Sequence, residues 1–483
     1  MTLQRPDWDP ATLPPGMHPA MLPEEPPSGR NGRREGALMT VAAVVGAVVV
    51  LAGLLGFQQW RSDDEPVAAG TSDAAPDLDE SEPEAETSAA GTDAEDTDTD
   101  IETDDGADRD ADPVPDPIPD VEDSPDAAPS DSGSDVVPVA CPAQYDQVIC
   151  DAAAYVQQER GRPFKEFPTI ELLDDAEFDQ AVLSDFDEYQ EDLVEDERVL
   201  KALGLIPTDL NLVEAFRSLL ESGVLGFYDP ETKRLVVRGG EFDLFGQSIL
   251  VHELVHAFDD QWFDLNRPDY ENDDQEYAFI AVVEGNASRL EDRWRDRLSP
   301  EDQATLNAQE FSSLSVDDLN RLRSLPEVII QLQVSPYVDG QRYVERLEEV
   351  GGEDAIDDSL TVAPVSSEEI LHEGNLFEDD LVIADLSVPP ADGPTLSQGA
   401  LGELMLQFWL GEQAAAGWGG DQYVVWDDGG RTCLTADLAA DTATDLLEME
   451  TAIGRWQQGE PTLRSVTTVA TADRTIVRAT GCY

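Results

Sequence analysis

The chain has 483 residues, with 104 Asp and Glu against 29 Lys and Arg, for a formal net charge of −75. A chain this negative excludes nucleic acid and anionic membrane surfaces as partners, because both would repel it. A packed core remains allowed, since 41% of residues are apolar, and the length admits two or three domains.

Residues 1–36 are polar and proline-rich and are expected to carry no fold. The run 37–57 then gives 21 residues without a charge. At ~1.5 Å rise per residue, a helix there would span a ~30 Å hydrocarbon core. Arg30, Arg33 and Arg34 precede it and Arg61 alone follows before an acidic run. The positive-inside rule therefore predicts a single-pass cell-membrane protein with a cytoplasmic N-terminus and the rest of the chain extracellular. Residues 62–140 hold 28 acidic residues against Arg109 alone, with almost no large apolar side chain. Such a stretch buries too little surface to offset its chain entropy, so a disordered, self-repelling stalk is expected.

Residues 141–483 are long enough for a large core. All four cysteines fall here, which in an exported region suggests two disulfides. Of the three pairings, Cys141–Cys150 with Cys433–Cys482 is favoured, each closing one end of the domain. Helical patterns are expected at about 143–160, 175–204, 210–221, 244–260, 274–297, 327–350 and 397–412. The runs 224–228 and 234–238, joined by Asp229-Pro230-Glu231-Thr232, read as a hairpin. After Gly417 the pattern becomes short strands near 423–426, 432–435, 466–470 and 475–479, around one helix near 440–457. The Trp418-Gly419-Gly420 segment reads as a structural bend.

The chemistry concentrates in His252-Glu253-Leu254-Val255-His256, in a chain with only four histidines. Ile249, Leu250, Val255, Ala257 and Phe258 give the run helical apolar cover. Positions i and i+4 share a helix face, so both imidazoles can reach one ion. Glu253 lies about 100° round, where it can hold a water and take its proton. A catalytic zinc needs a third protein ligand and an open position. The metzincin arrangement fails, since Asp259 and Trp262 stand where it needs Gly and His. The segment 276–296 reads as a second helix, with Ile280, Val283, Ala287, Leu290 and Trp294 as its apolar stripe. Glu284 sits at the edge of that stripe, where a carboxylate is costly unless paired or bound to metal. Gly285 beside it permits close helix approach despite a cost of ~1 kcal/mol in a helix. Glu284 is thus the expected third ligand, with Asp259, Asp260 and Glu276 as rivals. Asp260 and Ser288 are candidates to orient a ligand from behind.

The stretch HELVHAFDDQWFDL at 252–265 closely resembles the HELTHALQDQHFDL signature of a bacterial group of gluzincin-like, thermolysin-clan metallopeptidases. Further blocks resemble the same group: LKALGLIPTDLNL at 200–212, GFYDPETKRLVV at 226–237, VEGNAS at 283–288, SPYVDGQRYVERLEEVGG at 335–352, SSEEILH at 366–372 and GWGGDQY at 417–423. Val255, Phe258, Asp259 and Trp262 depart from the signature without touching the proposed ligands. The resemblance implies zinc on His252, His256 and Glu284, with Glu253 as general base, in an α+β, mainly helical zincin-like domain with a small sheet. It also implies that the strand 235–238 aligns a peptide or protein substrate by strand addition. His372, the only other histidine after the expected membrane segment, is the candidate oxyanion donor. Tyr277, Tyr337 and Tyr343 are the alternatives. Two rivals remain: a surface binding or scaffold domain with a structural or silent zinc, and a metallohydrolase acting on a non-peptide amide.

Overall fold

The computed structural model describes residues 137–483, apart from 224, 240–241, 268–269, 271, 314 and 373–382. The expected head at 1–36, the membrane helix at 37–57 and all but the end of the stalk at 62–140 lie outside the described residues. Among the described residues, no helix is long and apolar enough to cross a membrane. The single-pass membrane location, with an extracellular domain, is corrected accordingly. The two longest described helices, at Asp273–Asp296 and Glu327–Thr361, carry Asp, Glu and Arg along their lengths, and charges in hydrocarbon are costly.

In chain order the elements are α1 (Gln147–Glu159), β1 (Ile170–Leu173), α2 (Asp175–Glu188), α3 (Gln190–Leu203), α4 (Leu212–Gly223), β2 (Gly226–Asp229), β3 (Arg234–Arg238), α5 (Leu244–Phe263) and α6 (Asp273–Asp296). There follow α7 (Pro300–Ser313), α8 (Val316–Ser324), α9 (Glu327–Thr361), α10 (Ser367–Leu371), β4 (Thr395–Gly399), α11 (Gly402–Leu410) and α12 (Glu412–Ala415). The chain closes with β5 (Trp418–Asp427), β6 (Thr432–Ala440), α13 (Ala443–Gly459), β7 (Arg464–Ala470) and β8 (Thr475–Cys482).

The first sheet has the order β1-β3-β2, with β3 parallel to β1 and antiparallel to β2. Its central strand reads Arg-Leu-Val-Val-Arg because both faces are covered. Leu235 and Val237 face a core built with α1 and α5, while Val236 faces the larger core of α2, α4, α6 and α9. The expectation that 235–238 receives a substrate strand is therefore corrected: β3 is paired on both sides, and β2 forms an outer edge. In the hairpin turn, Asp229 Oδ1 accepts from the amides of Glu231 (2.8 Å) and Thr232 (3.2 Å).

α5 is buried without interruption from Ser248 to Asp260, as expected of a helix apolar on all sides. Asp243 caps its start by accepting from the Gly246 amide at 2.9 Å. α6 crosses α9 with almost no side chain between them. A Cβ on Gly285 would lie 2.2 Å from the Gly340 carbonyl carbon, and one on Gly340 would lie 1.9 Å from the Ala281 oxygen. Beneath this crossing, Arg160 at the end of α1 meets Asp259 of α5 (3.0 Å), and also Glu353 and Asp357 of α9. Asn286 of α6 donates to Asp259 (2.6 Å) and accepts from Arg289 (2.8 Å), whose other partners are Glu348 and Glu353. This partly buried network joins α1, α5, α6 and α9, and removing Arg160 would leave the buried Asp259 carboxylate without its cation.

The second sheet is antiparallel, in the order β4-β5-β6-β8-β7, with a core shared with α3, α11 and α13. Cys141 bonds Cys150, and Cys433 bonds Cys482, which stands opposite it in the β6–β8 register. Several local expectations change. The helix foreseen at 175–204 breaks at Tyr189, and the one at 397–412 is a strand followed by a helix. The Trp418-Gly419-Gly420 bend opens β5, where Trp418 Nε1 donates to Asp421 at 3.0 Å.

Candidate metal centre

His252 and His256, one turn apart on α5, turn their rings toward Glu284 of α6. His252 Nε2 lies 3.1 Å and His256 Nε2 3.3 Å from Glu284 Oε2. The ring centroids are 4.7 Å apart, and the three ligand atoms fall within 4.8 Å of one another. Atoms held ~2.0–2.2 Å from one tetrahedral zinc stand roughly 3.3–3.6 Å apart, so this two-nitrogen, one-carboxylate set fits such an ion after small movements. All three are buried (His252 4%, His256 5%, Glu284 1% exposed), so an ion held here would be shielded from bulk water.

A second row of groups holds these ligands. Glu291 Oε2 lies 3.1 Å from His252 Nδ1 and so aims Nε2 at Glu284. Arg295, one turn further along α6, holds Glu291 at 2.9 Å. Glu291 is two turns from Glu284 on one helix face, a spacing visible in the sequence once Glu284 is chosen as ligand. The two groups foreseen in this role lie elsewhere or make no such bond. Asp260 accepts from Tyr228 (2.5 Å), Lys233 (2.7 Å) and the Leu265 amide (2.9 Å), tying the hairpin to the end of α5. Glu291, not Ser288, is hydrogen-bonded to His252. Of the rival ligands, Asp259 belongs to the Arg160 network, and Glu276 lines a neighbouring cavity.

The electrostatics follow from burial against charge. Burial acts to raise the Glu284 pKa, but His256 and His252 outweigh it and hold the carboxyl down to about 2. Burial acts to lower that of His252, yet Glu284 and Glu291 hold it well above the usual range. Burial also dominates at Glu253 and raises its pKa against the pull of both histidines. Glu253 is 1% exposed, and its Oε2 has no hydrogen-bond partner. It packs close to β2, since a Cβ on Gly226 would lie 3.4 Å from Glu253 Cγ.

Tyr337 of α9 completes the cluster. Its ring stacks on His252 at 5.9 Å and 28°, and its hydroxyl is hydrogen-bonded to Glu284. Burial and the Glu284 and Glu253 carboxylates push its pKa well above the phenol range, so it stays a donor. His372 is placed differently. Its Nε2 lies 2.9 Å from both carboxylate oxygens of Glu403, with Glu368 and Asp441 as further charged neighbours. The structure thus gathers His252, Glu253, His256 and Glu284, adds Glu291 and Tyr337, and gives His372 to a different acidic cluster.

No protein-family model, no curated protein and no solved structure matches this chain. The resemblance of the 252–265 stretch therefore rests on its own residues.

Proposed function

We propose that the protein is a zinc-dependent metallopeptidase that hydrolyses peptide bonds, with zinc held by His252, His256 and Glu284. One observation carries the reading: the buried Glu253 carboxylate, with an oxygen lacking any hydrogen-bond partner, stands beside three converging ligand atoms. A purely structural zinc site usually closes with four protein ligands and needs no such base. Among the described residues, three ligands converge.

A zinc ion in this position would supply a Lewis acid and bring the pKa of a coordinated water toward ~7. Glu253 takes the proton of the attacking water and returns it to the leaving amine. Tyr337 donates to Glu284 at rest and is positioned to donate to the developing oxyanion, in place of His372. Glu291 fixes the His252 ring. The outer edge of β2, beside Glu253, takes over the strand-addition role expected of β3.

The test is metal analysis of the purified protein, together with cleavage of a mixed peptide library with and without a chelator. One zinc per chain and chelator-sensitive cleavage are expected. Stoichiometric absence of metal after zinc loading would sink the proposal.

A further inference from the structure

Behind the metal ligands, a row of side chains runs from His252 to a third helix. Glu291 Oε2 lies 3.1 Å from His252 Nδ1. Arg295 meets Glu291 Oε1 along one edge of its guanidinium, with Nε at 3.1 Å and Nη2 at 2.9 Å. Its remaining nitrogen, Nη1, lies 3.4 Å from Glu310 Oε2 of α7. Nη2 also reaches the Ser248 hydroxyl of α5, one turn before His252, at 3.4 Å. One guanidinium on α6 therefore touches α5 and α7 as well, which a planar fork of five donors allows.

α7 holds this row from outside. It follows α6 across residues 297–299 and returns over the first turn of α5. Gln303 of α7 donates to the Arg295 carbonyl at 3.1 Å, and Gln309 Oε1 accepts from the Phe245 amide at 3.2 Å. Leu306 is the one side chain that α7 buries, so polar contacts rather than a broad apolar face fix its place. The Arg295 side chain is 23% exposed. Without Glu310 it would be free to turn toward water, where a long side chain regains rotamer freedom.

We infer that Arg295 and Glu310 are positioning residues for the metal: Glu310 orients the Arg295 guanidinium, Arg295 orients Glu291, and Glu291 fixes the ring of the ligand His252. The inference rests on the metal centre proposed above, and not on the reaction carried out there. A simple electrostatic field would act differently. Removing a cation near the ion would raise zinc affinity, and removing a carboxylate would lower it. Orientation predicts a loss in both cases, because either change leaves Glu291 less firmly held. Arg295 thus separates the two causes by sign.

The experiment titrates the full chain, loaded with zinc, against a competitive chelator at constant ionic strength. Arg295→Gln should weaken zinc binding by about 10- to 100-fold, the range for a group that orients a ligand from behind. Glu310→Gln should weaken it by about three- to tenfold, since it acts one contact further away. On a Glu291→Gln background, Glu310→Gln should add less than about twofold, because the contact it serves is already gone. If circular dichroism shows that Arg295→Gln does not fold, the Glu310→Gln comparison on the two backgrounds decides alone. Unchanged or tighter zinc binding in Arg295→Gln overturns the inference and leaves the peptidase reading intact. So does a Glu310→Gln loss of the same size on both backgrounds. The expected losses in a chain that cleaves no peptide support the inference and fail the peptidase reading alone. A wild-type chain that takes up no zinc overturns both.

Discussion

Glu253 is buried and Glu291 half-buried, each beside a candidate histidine ligand, yet their surroundings give them opposite roles. Glu291 is held ionised, because Arg295 and His252 outweigh the cost of burial. Glu253 has no cation committed to it and keeps a raised pKa. Glu253→Gln is therefore expected to retain one zinc per chain and to lose about 10²- to 10⁴-fold in hydrolysis, the range of a general base. Metal content and peptide turnover measured on the same sample check this, and cleavage at the wild-type rate would refute the mechanism. Glu291→Gln should instead weaken zinc affinity by about 10- to 100-fold, as for other groups that orient a ligand from behind. A competitive chelator titration reads it. At this scale the sequence is legible where the chemistry lies on one helix, as in His252-Glu253-Leu254-Val255-His256. Glu284 is also readable, from its place at the edge of an apolar stripe next to a glycine. Tyr337 could be named but not ranked against Tyr277 and Tyr343, because the rotation of α9 about its axis is set by partners far away in the chain.

At the scale of elements, the hairpin was readable from turn residues and alternating apolar runs, but its place in the sheet was not. β1 pairs with β3 from more than sixty residues earlier, with Ile170 opposite Leu235, and nothing local to either strand announces that register. The parallel partner makes β3 central and leaves β2 at the edge. The α6–α9 crossing was foreshadowed by Gly285 alone, since its counterpart Gly340 lies in a helix that also contains Pro336. Gly285→Ala should be strongly destabilising, by roughly 2–4 kcal/mol, because the added methyl meets backbone, which cannot rotate away. Urea unfolding measures it. A loss below 0.5 kcal/mol, about the size of a surface change, would mean that the helices do not cross so closely.

For the whole molecule, acidity is the dominant property, and part of it is internal. Asp274 of α6 is buried near Asp421 of β5 and Glu403 of α11, and its pKa is pushed up to about 7. Glu368 of α10 rises to about 7 and Asp421 to about 6, both chiefly through burial. A carboxyl whose folded pKa lies above its unfolded value (~4) binds protons better when folded. Its contribution is fully present below pH ~4 and is lost as pH rises to about 7. His372 acts in the same direction, because its bond to Glu403 raises its pKa and that stabilisation also disappears as pH climbs. The carboxylates with lowered pKa values, such as Glu171 and Glu348, oppose this only on the acid side of the window. The thermal midpoint should therefore be higher at pH 5 than at pH 8. A midpoint that rises steadily over that interval would contradict the burial of this cluster. Net charge adds a further dependence. Residues 141–483 carry 71 acidic against 23 basic side chains, so molar salt should raise the midpoint by screening self-repulsion, as suits a salt-rich habitat.

The glycine-to-glycine crossing of α6 and α9 also bears on how rigid the metal centre is. Glu284 stands one residue before Gly285, and Tyr337 three before Gly340, so both functional side chains hang from the point where two backbones touch. Their separation is set by main chain, which leaves little room for adjustment when an ion enters. Amide protons flanking Gly285 and Gly340 should then be among the last in the protein to exchange with deuterated solvent, with or without zinc. The spacing of the candidate metal-binding side chains is in this way largely a property of the scaffold.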